Sequence, residues 1–218
     1  EIKDILEKLS LSLVGAENLG LGTMNRLFMA AELLHLKKDN FVNRIVANSY
    51  FVAKACNIID QAALADVVCG ASLSHIGYTQ LPLSLVQSSA LNLFNKDKKL
   101  FEKHTILGNH LIKRSNLEIS ERAKRIILDH HERNAGGGYP SMKYGESIEM
   151  LSQVIGSVAH LFEFSSGKIT GNKFPLKSII VSMKNKSYTP GLEFDFGDMI
   201  YNSLVTLINA DKLDTKKA

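Results

Sequence analysis

Two adjacent histidines, His130 and His131, close a helical pattern, and Glu132, Arg133 and a three-glycine loop running to Tyr139-Pro140 follow at once. The placement of the other histidines is as telling. His75 follows Leu64, Val68 and Ala71 at steps of four, three and four, the spacing of a single helix face. His104 stands between Leu100 and Leu107, with Leu111 beyond, on a second apolar stripe. His130 extends the face of Ile119, Ala123, Ile126 and Ile127, and His131 lies four residues after Ile127. His160 sits in the apolar stretch from Val154 to Phe164. Four helices thus each aim imidazole at the interior of a bundle, where helical proteins build metal centres. A lone histidine on an apolar face is ordinarily a hydrogen-bonded core residue. Several together would be costly if charged and gain from a shared cation. Imidazole nitrogen suits zinc, iron, nickel or copper better than magnesium or calcium. His35 and His110 are expected to fill ordinary structural roles, His110 facing away from His104 six residues earlier.

The elements that must position these groups read as helices almost throughout. The period predicts helices near 2–14, 24–38, 42–58, 60–76, 96–114, 117–132, 147–165, 175–185 and 195–212. Ser115 with Glu118 predicts a capping box opening the helix that ends in the paired histidines, and Asp60 predicts the cap of the helix leading to His75. Glycine and proline concentrate in 134–145 and 187–191, and no strand alternation or internal repeat stands out. The expectation is an all-α multi-helix bundle. Residues 1–40 read as an amino-terminal helical extension or linker, and 41–218 as the domain.

A chain of 218 residues, 45% hydrophobic and 22% charged, can bury a full core as one domain. The net charge of +4 suits an anionic ligand, but the basic side chains are spread over solvated helix faces such as Lys96 to Lys103, and no nucleic-acid-binding motif occurs. No apolar run approaches the roughly 20 residues of a membrane span, and no signal-peptide pattern opens the chain. Cys56 and Cys69 offer neither a disulfide framework nor a thiolate metal site, which points to a reducing cytoplasm. Starting at Glu1, the sequence is expected to be part of a longer one.

The ordered motifs carry a resemblance. His130-His131-Glu132 through Gly138-Tyr139-Pro140 resembles the HHExxDGxGYP signature of HD-GYP domains, the metal-dependent cyclic-di-GMP phosphodiesterases of bacteria. Leu73 to Tyr78 with Leu81-Pro82 is similar to the family's L-H-D-I-G-K and I-P, and Lys103-His104-Thr105 with Gly108 to its K-H-x-x-x-G. Gly145-Glu146-Ser147-Ile148 resembles G-E-x-I, and Gln153 to His160 the R-I-x-A-x-A-D helix. The resemblance implies an all-α bundle of the HD/HD-GYP type and a metal set drawn from His75, His104, His130, His131 and His160. It also implies a ligand- or partner-facing loop of Arg133, Gly136, Gly138, Tyr139 and Pro140.

Departures from the family pattern alter the chemistry to be expected. Ser74 stands where the family has the histidine of its HD pair, and His75 where the bridging aspartate belongs. Tyr78 replaces the lysine credited with holding substrate phosphate, Ala135 the loop aspartate, Gln153 the arginine, and His160 the last aspartate. Around Phe41 to Val46, where the family has a further ligand histidine, there is none. A carboxylate bridges two cations, whereas a neutral imidazole binds one. Losing the bridge and the lysine should each remove about 2.7–4 kcal/mol of transition-state stabilisation. The expectation is a degenerate HD-GYP-like binding or regulatory module in cyclic-di-GMP signalling, with no confident catalytic residue and either one metal (iron, manganese or zinc) or none. Its expected partners are a cyclic dinucleotide or a signalling protein such as a diguanylate cyclase, with no nucleic-acid polymer and no membrane, and an amphipathic first helix is compatible with a homodimer. The alternatives are a divergent metal-dependent phosphodiesterase acting on cyclic-di-GMP or another phosphodiester, and an interaction module with fossil histidines.

Overall fold

The computed structural model describes residues 41–115, 117–185 and 195–213. Helices α1 (Phe41–Ala55), α2 (Gln61–Leu73), α3 (Leu83–Gln87), α4 (Asn95–Glu102), α5 (His104–Arg114), α6 (Glu121–Asp129), α7 (Met150–Ser166), α8 (Leu176–Asn185) and α9 (Asp198–Asn209) succeed one another along the chain. Short 3₁₀ turns occupy Ile76–Gln80, Ala90–Asn92 and Gly145–Ser147, and no strand occurs among the described residues. The all-α expectation holds. None of the described helices is long and apolar enough to cross a membrane.

α7 is the central element because its sequence is apolar all round: every residue from Leu151 to Phe164 is buried. A helix without a polar face has to be surrounded, and α1, α2, α6, α8 and α9 pack on it. Side chains such as Val154, Ile155, Leu161 and Phe162 each gain about 1.5–3 kcal/mol from leaving water. The Glu149 carboxylate caps α7 by accepting from the N–H groups of Leu151 and Ser152. Gly167, at φ 83°, ends it in the left-handed region. A smaller cluster of Tyr78, Leu81, Leu85, Val86 and Phe101 forms beside the main core and walls one side of the histidine site.

Asp60 caps α2 as expected, accepting from Ala63 N at 2.8 Å. The capping box at Ser115 is corrected: the Ser115 hydroxyl donates to Ile112 O at the end of α5, while Ser120 caps α6 by accepting from Ala123 N. Leu117 and Ile119 are buried in the connection, so the apolar pattern continues past the end of one helix and before the start of the next. The single helix expected over 96–114 is two, meeting at Lys103. The short α3 is an addition to the expected elements. The extension at 1–40, His35 and the 187–191 stretch lie outside the described residues.

Candidate metal centre

Three helix termini meet at one point. Ser74 closes α2 and His75 leads into the first 3₁₀ turn. His104 is the first residue of α5, and His130 and His131 come directly after α6. Two glycines allow the backbones to approach closely enough. A Cβ on Gly77 would lie 1.8 Å from His104 O, and one on Gly156 would lie 2.1 Å from His130 O. Any side chain there would push His104 away from His75, or α7 away from the paired histidines.

His75, His104, His130 and His131 are all buried, and one ligand nitrogen from each lies within 4.8 Å of the others. The hydrogen bonds decide which nitrogen faces inward. His104 Nδ1 is 2.9 Å from Phe101 O, and His130 Nδ1 is 3.0 Å from Ile127 O. A carbonyl can only accept, so each Nδ1 carries the proton and each Nε2 carries a lone pair. Those two Nε2 atoms face each other at 3.4 Å, too close for two bare lone pairs to be comfortable. The separation equals the edge of a tetrahedron drawn at the zinc–imidazole distance, about 3.4 Å for bonds of about 2.1 Å. His131 Nε2 is buried without a hydrogen-bond partner among the described residues.

Electrostatics keeps His104, His130 and His131 neutral. Burial, then the neighbouring His75, pushes the His104 pKa down to about 3. Burial followed by the nearby imidazoles likewise holds His130 and His131 well below the usual histidine value. Neutral imidazole is the ligating form. Four clustered imidazoles, two with outward partners that fix their tautomer, could therefore hold a metal ion.

The sequence reading missed Glu163. Its carboxylate lies one turn beyond His160 on α7, with Oε1 3.4 Å from His75 Nε2 and 3.5 Å from the Tyr78 hydroxyl. The signal was a lone acidic residue in a helix apolar on every face. Tyr78 is fully buried, and burial followed by the Glu163 charge holds its phenol well above its ordinary pKa, so it remains neutral. His160 is not one of the four clustered histidines. It packs 6.2 Å from the Phe196 ring and 6.4 Å from Phe164 (centroid distances) and lines the cavity beside the cluster. His110 is exposed.

The glycine loop forms the other wall. Gly136 and Gly137 adopt φ of 86° and 77°. The Glu132 carboxylate pins the loop by accepting from Ser141 N at 2.6 Å and Lys143 N at 2.9 Å. At Ala135, Asp195 supplies a carboxylate from across the domain, accepting from the Ala135 N–H. Tyr139, which Pro140 follows, donates its N–H to His131 O and stacks its ring on His131 at 4.6 Å and 15°. Arg133 lays its guanidinium 4.5 Å above the Phe196 ring. Between loop, α4 and α7 lies a cavity of about 200 Å³, lined by His131, Arg133, Tyr139, Glu163, Lys98 and Lys168 among others.

With this geometry in place, the comparisons assign the family. A family model described as HD domain matches residues 29–189, and the chain belongs to the HD-domain family. A 3'3'-cGAMP-specific phosphodiesterase 2 of Vibrio cholerae is 30% identical over 105 residues, 48% of this chain and 20% of that protein. A cyclic di-GMP phosphodiesterase of Thermotoga maritima is 28% identical over 136 residues, 61% of this chain and 36% of that one. The cyclic di-GMP phosphodiesterase response regulator RpfG of Xanthomonas campestris is 25% identical over 141 residues, covering 65% and 36%. The chain thus spans only about a fifth to a third of these relatives. The solved structure of Bd1817, an HDG"Y"P protein from Bdellovibrio bacteriovorus, superposes with a TM-score of 0.62 at 18% identity, covering 86% of this chain and 60% of that one, which establishes a shared fold.

Proposed function

We propose that this chain is a degenerate HD-GYP-like domain that binds rather than turns over a cyclic dinucleotide, with one transition-metal ion on His75, His104, His130 and His131. The convergence of four buried imidazoles beside a cavity with Lys98, Arg133 and Lys168 in its walls carries the reading. A bound divalent cation would act as a Lewis acid toward a phosphoryl oxygen. The protein's own groups hold the anionic ligand: Arg133 through guanidinium donors, Lys98 as a solvent-facing charge, and Tyr139 as an aromatic wall. At about 200 Å³ the cavity is smaller than the roughly 300–1,000 Å³ of a full small-molecule site. It suits one phosphodiester with part of a nucleotide, the remainder lying outside the mouth.

Binding is favoured over hydrolysis because the lysine and the bridging aspartate that the resemblance calls for are both absent. Tyr78 offers no cation, and His75 cannot bridge a second metal. The two free cysteines, Cys56 and Cys69, suit a reducing cytoplasm. The relatives' names support a cyclic dinucleotide as ligand, and a signalling protein such as a diguanylate cyclase is the partner class proposed for the exposed loop. Calorimetric titration of the zinc-loaded and chelated protein with cyclic di-GMP, with chromatography for linear product, tests this. Metal-dependent binding without turnover is expected; no binding in either form contradicts it.

One observation favours the alternative, a divergent phosphodiesterase. Glu163 places a buried carboxylate at the cavity wall beside His75, where it can accept a proton from water. Metal-dependent hydrolysis lost in Glu163→Gln would establish that reading.

A further inference from the structure

Ser74 takes the place of a family histidine, yet its surroundings are those of a working group. It is fully buried at the end of α2, its Oγ 2.8 Å from His75 Nδ1 and 3.0 Å from Ala71 O. A hydroxyl has one hydrogen and two lone pairs. With the hydrogen on Ala71 O, Oγ accepts from His75 Nδ1–H, and His75 joins His104 and His130 as the third ring whose outward Nδ1–H meets an oxygen. The other assignment, hydroxyl to Nδ1, would put the ring proton on Nε2, toward the Glu163 carboxylate 3.4 Å away, and block that nitrogen as a ligand.

We propose that Ser74 is a positioning residue that holds His75 as the Nδ1–H tautomer and so presents its Nε2 lone pair to the cation, with the Glu163 carboxylate alongside as counter-charge. Phe41, edge-on to the His75 ring at 5.6 Å, and Tyr78, with its ring 5.3 Å away, restrict the ring's rotation. Orientation by packing and tautomer by hydrogen bond are then supplied separately. Outer partners of metal-bound histidines typically change affinity about 10–100-fold when removed.

The inference rests on the metal reading proposed for the four histidines, and its test separates the two. Zinc affinity is measured by competition with a chromophoric chelator in wild type, Ser74→Ala and Ser74→Thr. Long-range ¹H–¹⁵N correlation spectra of the zinc-loaded wild type report the His75 tautomer. Expected are Nδ1–H on His75, about 10–100-fold weaker zinc binding in Ser74→Ala, and recovery in Ser74→Thr, which keeps the hydroxyl. Wild type that binds no zinc overturns the metal reading and this inference with it. Zinc-binding wild type with an unaffected Ser74→Ala, or with His75 protonated on Nε2, overturns this inference alone. Should Ser74→Ala fail to fold, the wild-type tautomer spectrum still decides.

Discussion

Acidifying the metal-free domain should destabilise it before its carboxylates are titrated. In the unfolded chain a histidine titrates near about 6.5. In the folded domain His104 is pushed down to about 3, and His130 and His131 also lie well below their ordinary value, chiefly because they are buried. Since the folded values are depressed, the unfolded chain takes up protons first. Stability is therefore complete above about pH 6.5 and is lost as the pH falls toward the folded values. Each pH unit in that window removes about 1.4 kcal/mol per histidine. At about pH 5 the loss from His104 alone is about 2 kcal/mol, against a total stability of about 5–15 kcal/mol ordinary for a domain, and His130 and His131 act in the same direction. Glu132 and Glu149, whose pKa values burial raises, act in the opposite sense, but only as the pH reaches the carboxylate range. Urea unfolding followed by circular dichroism, with chelator present, measures this from about pH 7.5 to about pH 5. His104→Gln, which cannot be protonated, should flatten the slope. An unfolding free energy that stays level across that range would refute the argument.

Other perturbations probe the packing, the loop and the metal separately. Gly77→Ala and Gly156→Ala each place a methyl inside contact distance of a carbonyl oxygen, at 1.8 Å and 2.1 Å, and should destabilise the fold by at least about 1–3 kcal/mol in thermal melts. Glu132→Gln removes the charge that accepts from Ser141 and Lys143 and should cost about 1.5–3 kcal/mol, with faster hydrogen exchange at those two amides. Zinc at about 100-fold over its dissociation constant should stabilise the folded domain by about 2.7 kcal/mol, an increase that chelation reverses and that His104→Ala with His130→Ala abolishes.

The helical class was legible because long stretches keep a 3.6-residue apolar period, and the caps at Asp60 and Ser120 obey the same local chemistry. Reading Ser115 as the cap failed because Leu117 and Ile119 are buried in a connection, where an apolar residue carries no helical information. Lys103 separates α4 from α5 within a charged run that shows no break in periodicity. His75, His104 and His130 sat on apolar stripes, so their inward direction could be read, while their mutual distance depends on Gly77 and Gly156 and on long-range packing. Glu163 escaped notice because its partners His75 and Tyr78 lie more than 80 residues away in sequence. His160, on a similar stripe, points to aromatic neighbours and the cavity wall instead of the cluster, a difference of helix rotation that periodicity does not resolve.

The central claim is that the four histidines hold one metal ion. It is tested most directly by elemental mass spectrometry on protein reconstituted with zinc, iron or manganese and then desalted, counting metal per chain in wild type and in the His104→Ala, His130→Ala double variant. The claim predicts close to one equivalent of a transition metal in the wild type and none in the variant. A wild type that retains no metal from any of the three, or a double variant that retains as much, would contradict it.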